Sequence, residues 1–330
     1  MTLTSRTKIK YSKSPLSIES QITKLRSRGL IIDNNDLTSN YLSNISYYRL
    51  RAYTFPFQNN TDEEEDHHFL QNNIHFKDII DLYCFDRRLR NLIFNEIEKI
   101  EVAVRTKIIQ KYSESTNDSH WFENESLFKD DSYIKTNKSG EKEKIFKYNK
   151  LLEEIQSEIH RSNEDFIKHY QNKYKVPDMP PSWMTLEVVS FGTLSRLYEL
   201  LKKDAHKIDI AKEFGLNKID IMENWLHAIS ILRNCCAHHS RIWNRRFIVS
   251  ILLPYNTLMP FIDRNTINTT RQNKLFAFLC CIKYTTDIIS PGNDFKKNLI
   301  SLIENGGKLL SMKEMGFPDN WKAIGLWKDR

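Results

Sequence analysis

The chain has 330 residues, 40% of them hydrophobic and 28% charged, and its 49 Lys and Arg against 42 Asp and Glu give a formal charge of +7. That length allows one large or two modest domains with a full core, and only nine glycines in all fit a helix-rich protein better than a sheet protein crowded with tight turns. The longest apolar runs, such as Leu275 to Ile282, are far too short for a membrane span.

The positive balance permits a polyanionic partner without demanding one, because it is diluted over a long chain. Five cysteines, Cys84 and the adjacent pairs Cys235-Cys236 and Cys280-Cys281, make an odd count without framework spacing. This predicts reduced thiols, a cytoplasmic location and a packing role for both pairs. Met1 to Lys13 is basic and polar with no apolar core of a leader.

Ser17 to Gly29 predicts a first helix, with Ser17 and Gln21 at its start and Gly29 as its stop. Asp36 to Ile45 predicts a second. The next stretch, NISYYRLRAYTFPF, interleaves Tyr48 with Arg49 and Arg51, a pattern that stacks bases and grips phosphate. A helix-turn packed on the core has the same composition. Asn59 to Asn73 reads as a polar loop with an acidic run ahead of His67 and His68. Its Asp66-His67-His68 triplet is discounted as a phosphoesterase motif, since that chemistry needs further aspartates on strand ends.

Phe76 to Tyr112 is the longest helical stretch, keeping Ile79, Tyr83, Leu89, Ile93, Ile97, Ile100, Val104 and Ile108 on one face. Asp86, Arg90, Glu98, Glu101 and Arg105 decorate it. Glu101 and Arg105 read as an ordinary i, i+4 ion pair, the alternative being that one or other of them supports Arg233 where this helix packs against the one bearing it. Residues 113–147 turn polar and read as a long excursion, helical only near its ends. Helix returns from Tyr148 to Tyr174, followed by the stiff proline connector VPDMPPSW. Thr185 to Lys202 predicts a helix or helix pair with Gly192 as a close-packing point, and Lys207 to Phe214 and Lys218 to Ser230 lead on to the densest chemistry. Beyond Arg246, FIVSILLP predicts a short strand or extended core segment. Asn268 to Asp287 predicts a buried helix and Asp294 to Glu304 a smaller one.

The stretch from Ile231 to Arg246, ILRNCCAHHSRIWNRR, follows Trp225, Leu226, Ile229 and Leu232 at helical spacing, so its polar groups sit on or beside a buried-face helix. Asn234 and His238 share a face, while Arg233 and His238 flank one patch about 140° apart. Arg233 offers a planar, permanently charged fork for phosphate oxygens. His238 moves a proton near neutral pH, and Asn234 holds a hydroxyl or fixes the imidazole tautomer. His239 is the other acid–base candidate, with a partly buried, hydrogen-bonded helix histidine as its structural alternative. No clustered carboxylates stand by to hold metal ions, and neither a third nitrogen ligand nor a Cys-x-x-Cys accompanies the histidines. The residue set suits cutting RNA with its own 2′-hydroxyl, with no cofactor and no metal.

Arg233-Asn234 followed after three residues by His238 resembles the Arg-x(4–6)-His signature of the HEPN ribonucleases. The longer string RNCCAHHSRIWNRR, together with DRRLR, EKIEVAVR and LEVVSFGTLSRLY, resembles the Abi-like abortive infection proteins of the AbiD and AbiF type. The resemblance implies an all-α, HEPN-like bundle with added terminal helices, divided into a 1–75 N-terminal region and a 76–330 domain carrying the polar insertion. It further implies a metal-independent endoribonuclease of phage defence, with Arg233, Asn234, His238 and His239 catalytic. Arg241, Asn244, Arg245 and Arg246, with Tyr48, Arg49 and Arg51, would bind RNA, and a small structured RNA is a plausible second partner. Only one Arg-Asn-x3-His string occurs, so a site needing two sets predicts a homodimer. The rival readings are a non-catalytic RNA-binding or antitoxin-binding module and a protein-interaction switch with structural histidines.

Overall fold

A computed structural model describes residues 10–60, 67–137 and 140–328. The fold is mostly α, with fourteen α-helices and one two-stranded sheet among the described residues. It divides into two compact units: residues up to Phe85 with Gly306–Leu310, and Asp86–Asn305 with the chain from Ser311. The acidic run and Asp66 lie outside the described residues.

The N-terminal unit contains α1 (Ile18–Ser27), α2 (Asn35–Ile45), α3 (Tyr47–Thr54) and the first turns of α4 (Phe76–Thr116). Ser17 caps α1 through its side chain, as its sequence position predicts. The aromatic-Arg stretch splits between both of its expected uses. Tyr53 is buried edge-on against Tyr83 and the Tyr47 hydroxyl accepts from Arg28, while Tyr48 and Arg49 face outward.

In the larger unit, α4 continues with Leu89, Ile93, Ile97, Ile100, Val104, Ile108 and Tyr112 almost wholly buried. Next come β1 (Ser132–Thr136) and β2 (Lys142–Phe146), an antiparallel hairpin, then α5 (Lys147–Arg161) and α6 (Asp165–Lys173). The helices α7 (Ser182–Val188), α8 (Phe191–Leu200), α9 (Ala205–Glu213) and α10 (Ile219–Ala237) follow. The chain closes with α11 (Arg264–Thr269), α12 (Leu275–Ile289), α13 (Phe295–Glu304) and α14 (Met312–Met315). Every residue of α12 from Leu275 to Thr286 is buried, making it the central helix of the unit, and α10 packs on α8, α9 and α12.

Four expectations need correction. The polar excursion is not irregular between its ends: Trp121 and Phe122 are fully buried, Trp121 stacks on Tyr112, and residues 132–146 form an antiparallel hairpin. Tyr148 to Tyr174 is broken at Ser162–Glu164, and the predicted helix from Asn268 is two helices separated at 270–274. FIVSILLP takes the second of its two expected forms, a core segment with Phe247, Ile251 and Leu253 buried and no strand partner. Instead, Asn224 on α10 donates to the Ser250 carbonyl and accepts from the Leu252 amide, satisfying the backbone as a neighbouring strand would. Gly192 is not a tight contact, because a Cβ there would meet nothing nearer than 3.7 Å. The close approach is at Gly215, with φ +75°, where a Cβ would lie 2.4 Å from the Tyr284 hydroxyl.

Candidate functional site at the end of α10

Helix α10 buries Trp225, Leu226, Ile229, Leu232 and Cys236 and turns Arg233 and Asn234 toward the surface. Arg233 is half-buried and lies over the Phe94 ring, 5.6 Å from its centroid. Its Nε sits 3.8 Å from a Glu101 carboxylate oxygen, an ion-pair distance too long for a hydrogen bond. The other oxygen of Glu101 accepts from Arg105 at 3.0 Å. Glu101 therefore combines the two alternatives, the i, i+4 pair and the approach to Arg233. Arg105 is itself held by the Val189 carbonyl at 3.0 Å, so the carboxylate facing Arg233 is braced from behind.

The helix ends at Ala237, with His238 as its C-cap. The His239 amide donates to Cys236 O at 3.1 Å and the Ser240 amide to Cys235 O at 2.9 Å. This is a Schellman closure, which needs a left-handed residue after the cap. Three other helices end the same way with glycine in that place: Gly29 after α1, Gly215 after α9 and Gly316 after α14. At the end of α10 the left-handed residue is His239, with φ +55°. For a residue with a Cβ this costs roughly 1–2 kcal/mol. Both histidines are exposed, so the expectation of a partly buried helix histidine at 239 is overturned: the helix has already ended and the turn lifts the side chain off its packed face. His238 keeps its relation to Asn234, whose carbonyl accepts the His238 amide at 3.0 Å.

Beyond the turn the chain is fastened to α4. Asp86, fully buried, accepts the Trp243 amide at 2.8 Å and the Ile242 amide at 3.3 Å, and pairs with Arg90 at 2.6 Å. The same Arg90 nitrogen donates to the Ser240 carbonyl at 3.2 Å. Spacing alone gave Asp86 and Arg90 no role. The available signal was an Asp and an Arg four apart on a helix whose neighbouring positions are apolar, which is unusual for a solvated pair. Ile242, Trp243 and Phe247 are buried and pull this loop onto the body. Arg241, Asn244 and Arg245 are half-buried, Arg246 is exposed, and the Asn244 carbonyl accepts from Lys274. Burial raises the Cys235 thiol and pushes Cys236 up to about 12, which fits packing rather than redox chemistry.

Of the remaining predicted contacts, Tyr48, Arg49 and Arg51 belong to the N-terminal unit. Arg51 lies 3.1 Å from the His67 ring nitrogen and over the Phe55 ring. Among the described residues no group of three His, Cys, Asp or Glu side chains converges as a metal ion requires, and no helix is long and apolar enough to cross a membrane.

Fold and site together define a mostly helical protein that displays an Arg, an Asn and two His at one helix end, secured by buried charges on a second helix. A family model described as Abi-like protein matches residues 40–244, and the chain belongs to that family. The matched stretch contains Asp86, Arg90, Glu101, Arg233, Asn234, His238 and His239, and stops before Arg245 and Arg246. Comparison with curated proteins and with solved structures finds no match.

Proposed function

We propose that this Abi-like protein is a metal-independent endoribonuclease of phage defence, of HEPN type, cutting RNA by attack of the substrate's own 2′-hydroxyl. The observation that carries the reading is the company kept at the end of α10: a half-buried guanidinium, an amide and two exposed imidazoles on a turn whose backbone is pinned. Phosphate is met by Arg233, and His238 serves as the acid–base group because it shares the last turn with Asn234.

One chain supplies one set, so the working site is composite, formed where two α10 ends meet across a two-fold axis. One His238 takes the proton from the ribose 2′-oxygen as that oxygen attacks phosphorus. The second delivers a proton to the departing 5′-oxygen, leaving a 2′,3′-cyclic phosphate and a free 5′-hydroxyl. Arg233 stabilises the charge on the phosphorane between them. Arg241, Asn244, Arg245 and Arg246 extend the contact along the strand, and Tyr48, Arg49 and Arg51 provide a further RNA-contacting surface. A small structured RNA is a second polyanion such a surface could hold.

The experiment is incubation of the purified protein with total RNA in EDTA, wild type beside Arg233→Ala and His238→Ala. Cleavage by wild type alone, with 2′,3′-cyclic phosphate ends, is the expected result. Retained RNA binding with no cleavage by any of the three would instead identify a gripping module, and no salt-dependent RNA association at all would point to a protein-interaction switch.

A further inference from the structure

The buried pair on α4 has no part in the chemistry above and does something an apolar contact could not. We infer that Asp86 and Arg90 are positioning residues for His238 and His239, holding the turn after α10 closed in the geometry the histidines need to act. What the histidines do rests on the ribonuclease reading; the hold itself rests on geometry alone.

The left-handed turn at His239 carries a backbone cost, and such conformations persist only where surrounding structure over-determines them. Here it does. The two amides fixed by Asp86 and the carbonyl fixed by Arg90 belong to residues 240, 242 and 243, the first ones after the histidine pair. Both charged side chains are almost completely buried, at 0% and 4% exposure, so neither has water as an alternative partner. A buried ion pair is a weak way to hold two helices together, since apolar residues of the same volume often stabilise as well or better. Apolar side chains, however, cannot fix a backbone amide or carbonyl in a set direction. The arrangement therefore makes physical sense as a device for orientation. It links α4 to the end of α10 across about 150 positions of sequence.

Arg90 reaches both Asp86 and Ser240 through one nitrogen, so a lysine ammonium can in principle make the same two bonds, whereas methionine can make neither. The test uses full-length protein carrying Arg90→Met, Arg90→Lys or Asp86→Asn. Three quantities are measured: the single-turnover cleavage rate at saturating RNA in EDTA, the dissociation constant for RNA, and hydrogen exchange of the Ile242 and Trp243 amides. Histidine ring resonances are assigned with His238→Ala and His239→Ala.

Arg90→Met is expected to slow cleavage about a hundredfold, the scale of a small misplacement of reacting groups, with RNA affinity changed less than about threefold. Arg90→Lys should recover most of that rate. Asp86→Asn should speed exchange at Trp243 at least about tenfold and shift the His238 and His239 ring signals. If Arg90→Met does not fold, Arg90→Lys and Asp86→Asn decide the matter through exchange and ring signals. A folded Arg90→Met with wild-type rate, exchange and ring signals overturns the inference, as does an Arg90→Lys no better than Arg90→Met. Should wild type cut no RNA, the ribonuclease reading falls by itself. Positioning is then upheld by faster exchange together with moved ring signals, and overturned if either stays put.

Discussion

Replacing His239 by glycine separates the backbone of the α10 turn from the imidazole it carries. The residue sits at φ +55° in the place that Gly29, Gly215 and Gly316 fill at three other helix ends. Removing the Cβ from a left-handed position recovers roughly 1–2 kcal/mol, and the greater freedom of glycine in the unfolded chain returns about 0.5–1 kcal/mol of that. His239→Gly is therefore expected to be more stable than His239→Ala, which also lacks the imidazole, by about 0.5–1 kcal/mol, a difference in melting temperature of about 1–4 °C for a domain of this size. His239→Ala keeps the Cβ and is the control. Thermal unfolding followed by tryptophan fluorescence reads the difference, since Trp225 and Trp243 lie in the same unit. If His238 is the acid–base group as proposed, cleavage by His239→Gly should stay within about tenfold of wild type. A His239→Gly no more stable than His239→Ala would refute the strain account. A hundredfold loss of cleavage in an otherwise stabilised protein would transfer the acid–base role to His239.

His238→Ala should lower cleavage by about 10²- to 10⁴-fold with RNA binding retained, measured by single-turnover kinetics beside filter binding. Arg233→Ala should weaken RNA binding and reduce the slope of log affinity against log salt by about one, since one phosphate contact is lost. Glu101→Gln removes a carboxylate that faces Arg233, so RNA should bind more tightly while the turnover of bound RNA falls about tenfold as Arg233 loses its brace; unchanged affinity and rate would show Glu101 serves Arg105 alone. Lys207 is fully buried, bonded to Glu223 and to the Glu199 and Leu201 carbonyls, and burial pulls its ammonium down to about 8. Between pH 8 and the ordinary lysine value the unfolded chain binds the extra proton, so the contribution of Lys207 rises with pH across that window, opposed above about pH 9 by the thiols of Cys236, Cys280 and Cys281, which burial keeps protonated. Above about pH 10 the buried phenols of Tyr112 and Tyr198, held protonated by burial, oppose it further. Denaturant midpoints of wild type should gain on those of Lys207→Met between about pH 8 and 10, and Lys207→Met should be destabilised at pH 7 because Glu223 then keeps only Lys129 as its ionic partner.

Much of the helical frame is legible in the sequence because burial imposes a period. The run from Leu89 to Tyr112 shows its face directly, and Ser17 and Gly29 mark a helix whose cap and closure both form as their chemistry predicts. The hairpin at 132–146 is not legible for the complementary reason. Its positions are nearly all exposed, so neither strand carries the apolar alternation that marks a half-buried strand. The anchoring of Trp121 and Phe122 is likewise hidden, since two aromatics in a polar stretch have no period to reveal which way they face.

At the site, the chemical groups are legible and their support is not. Arg233, Asn234 and His238 declare themselves by type and spacing, and helical geometry correctly puts Asn234 and His238 on one turn. Spacing says nothing of where a helix stops, however, and the stop at Ala237 changes what His239 is: no longer the next helical side chain but a left-handed residue displayed on a turn. Nor can local pattern expose Asp86, because its partners are backbone amides that any sequence supplies and that lie over 150 positions away. A buried carboxylate must nevertheless find donors somewhere. An Asp and an Arg four apart amid Leu82, Phe85 and Leu89 therefore already require a distant segment to complete them, and the segment that does so is the one carrying the histidines.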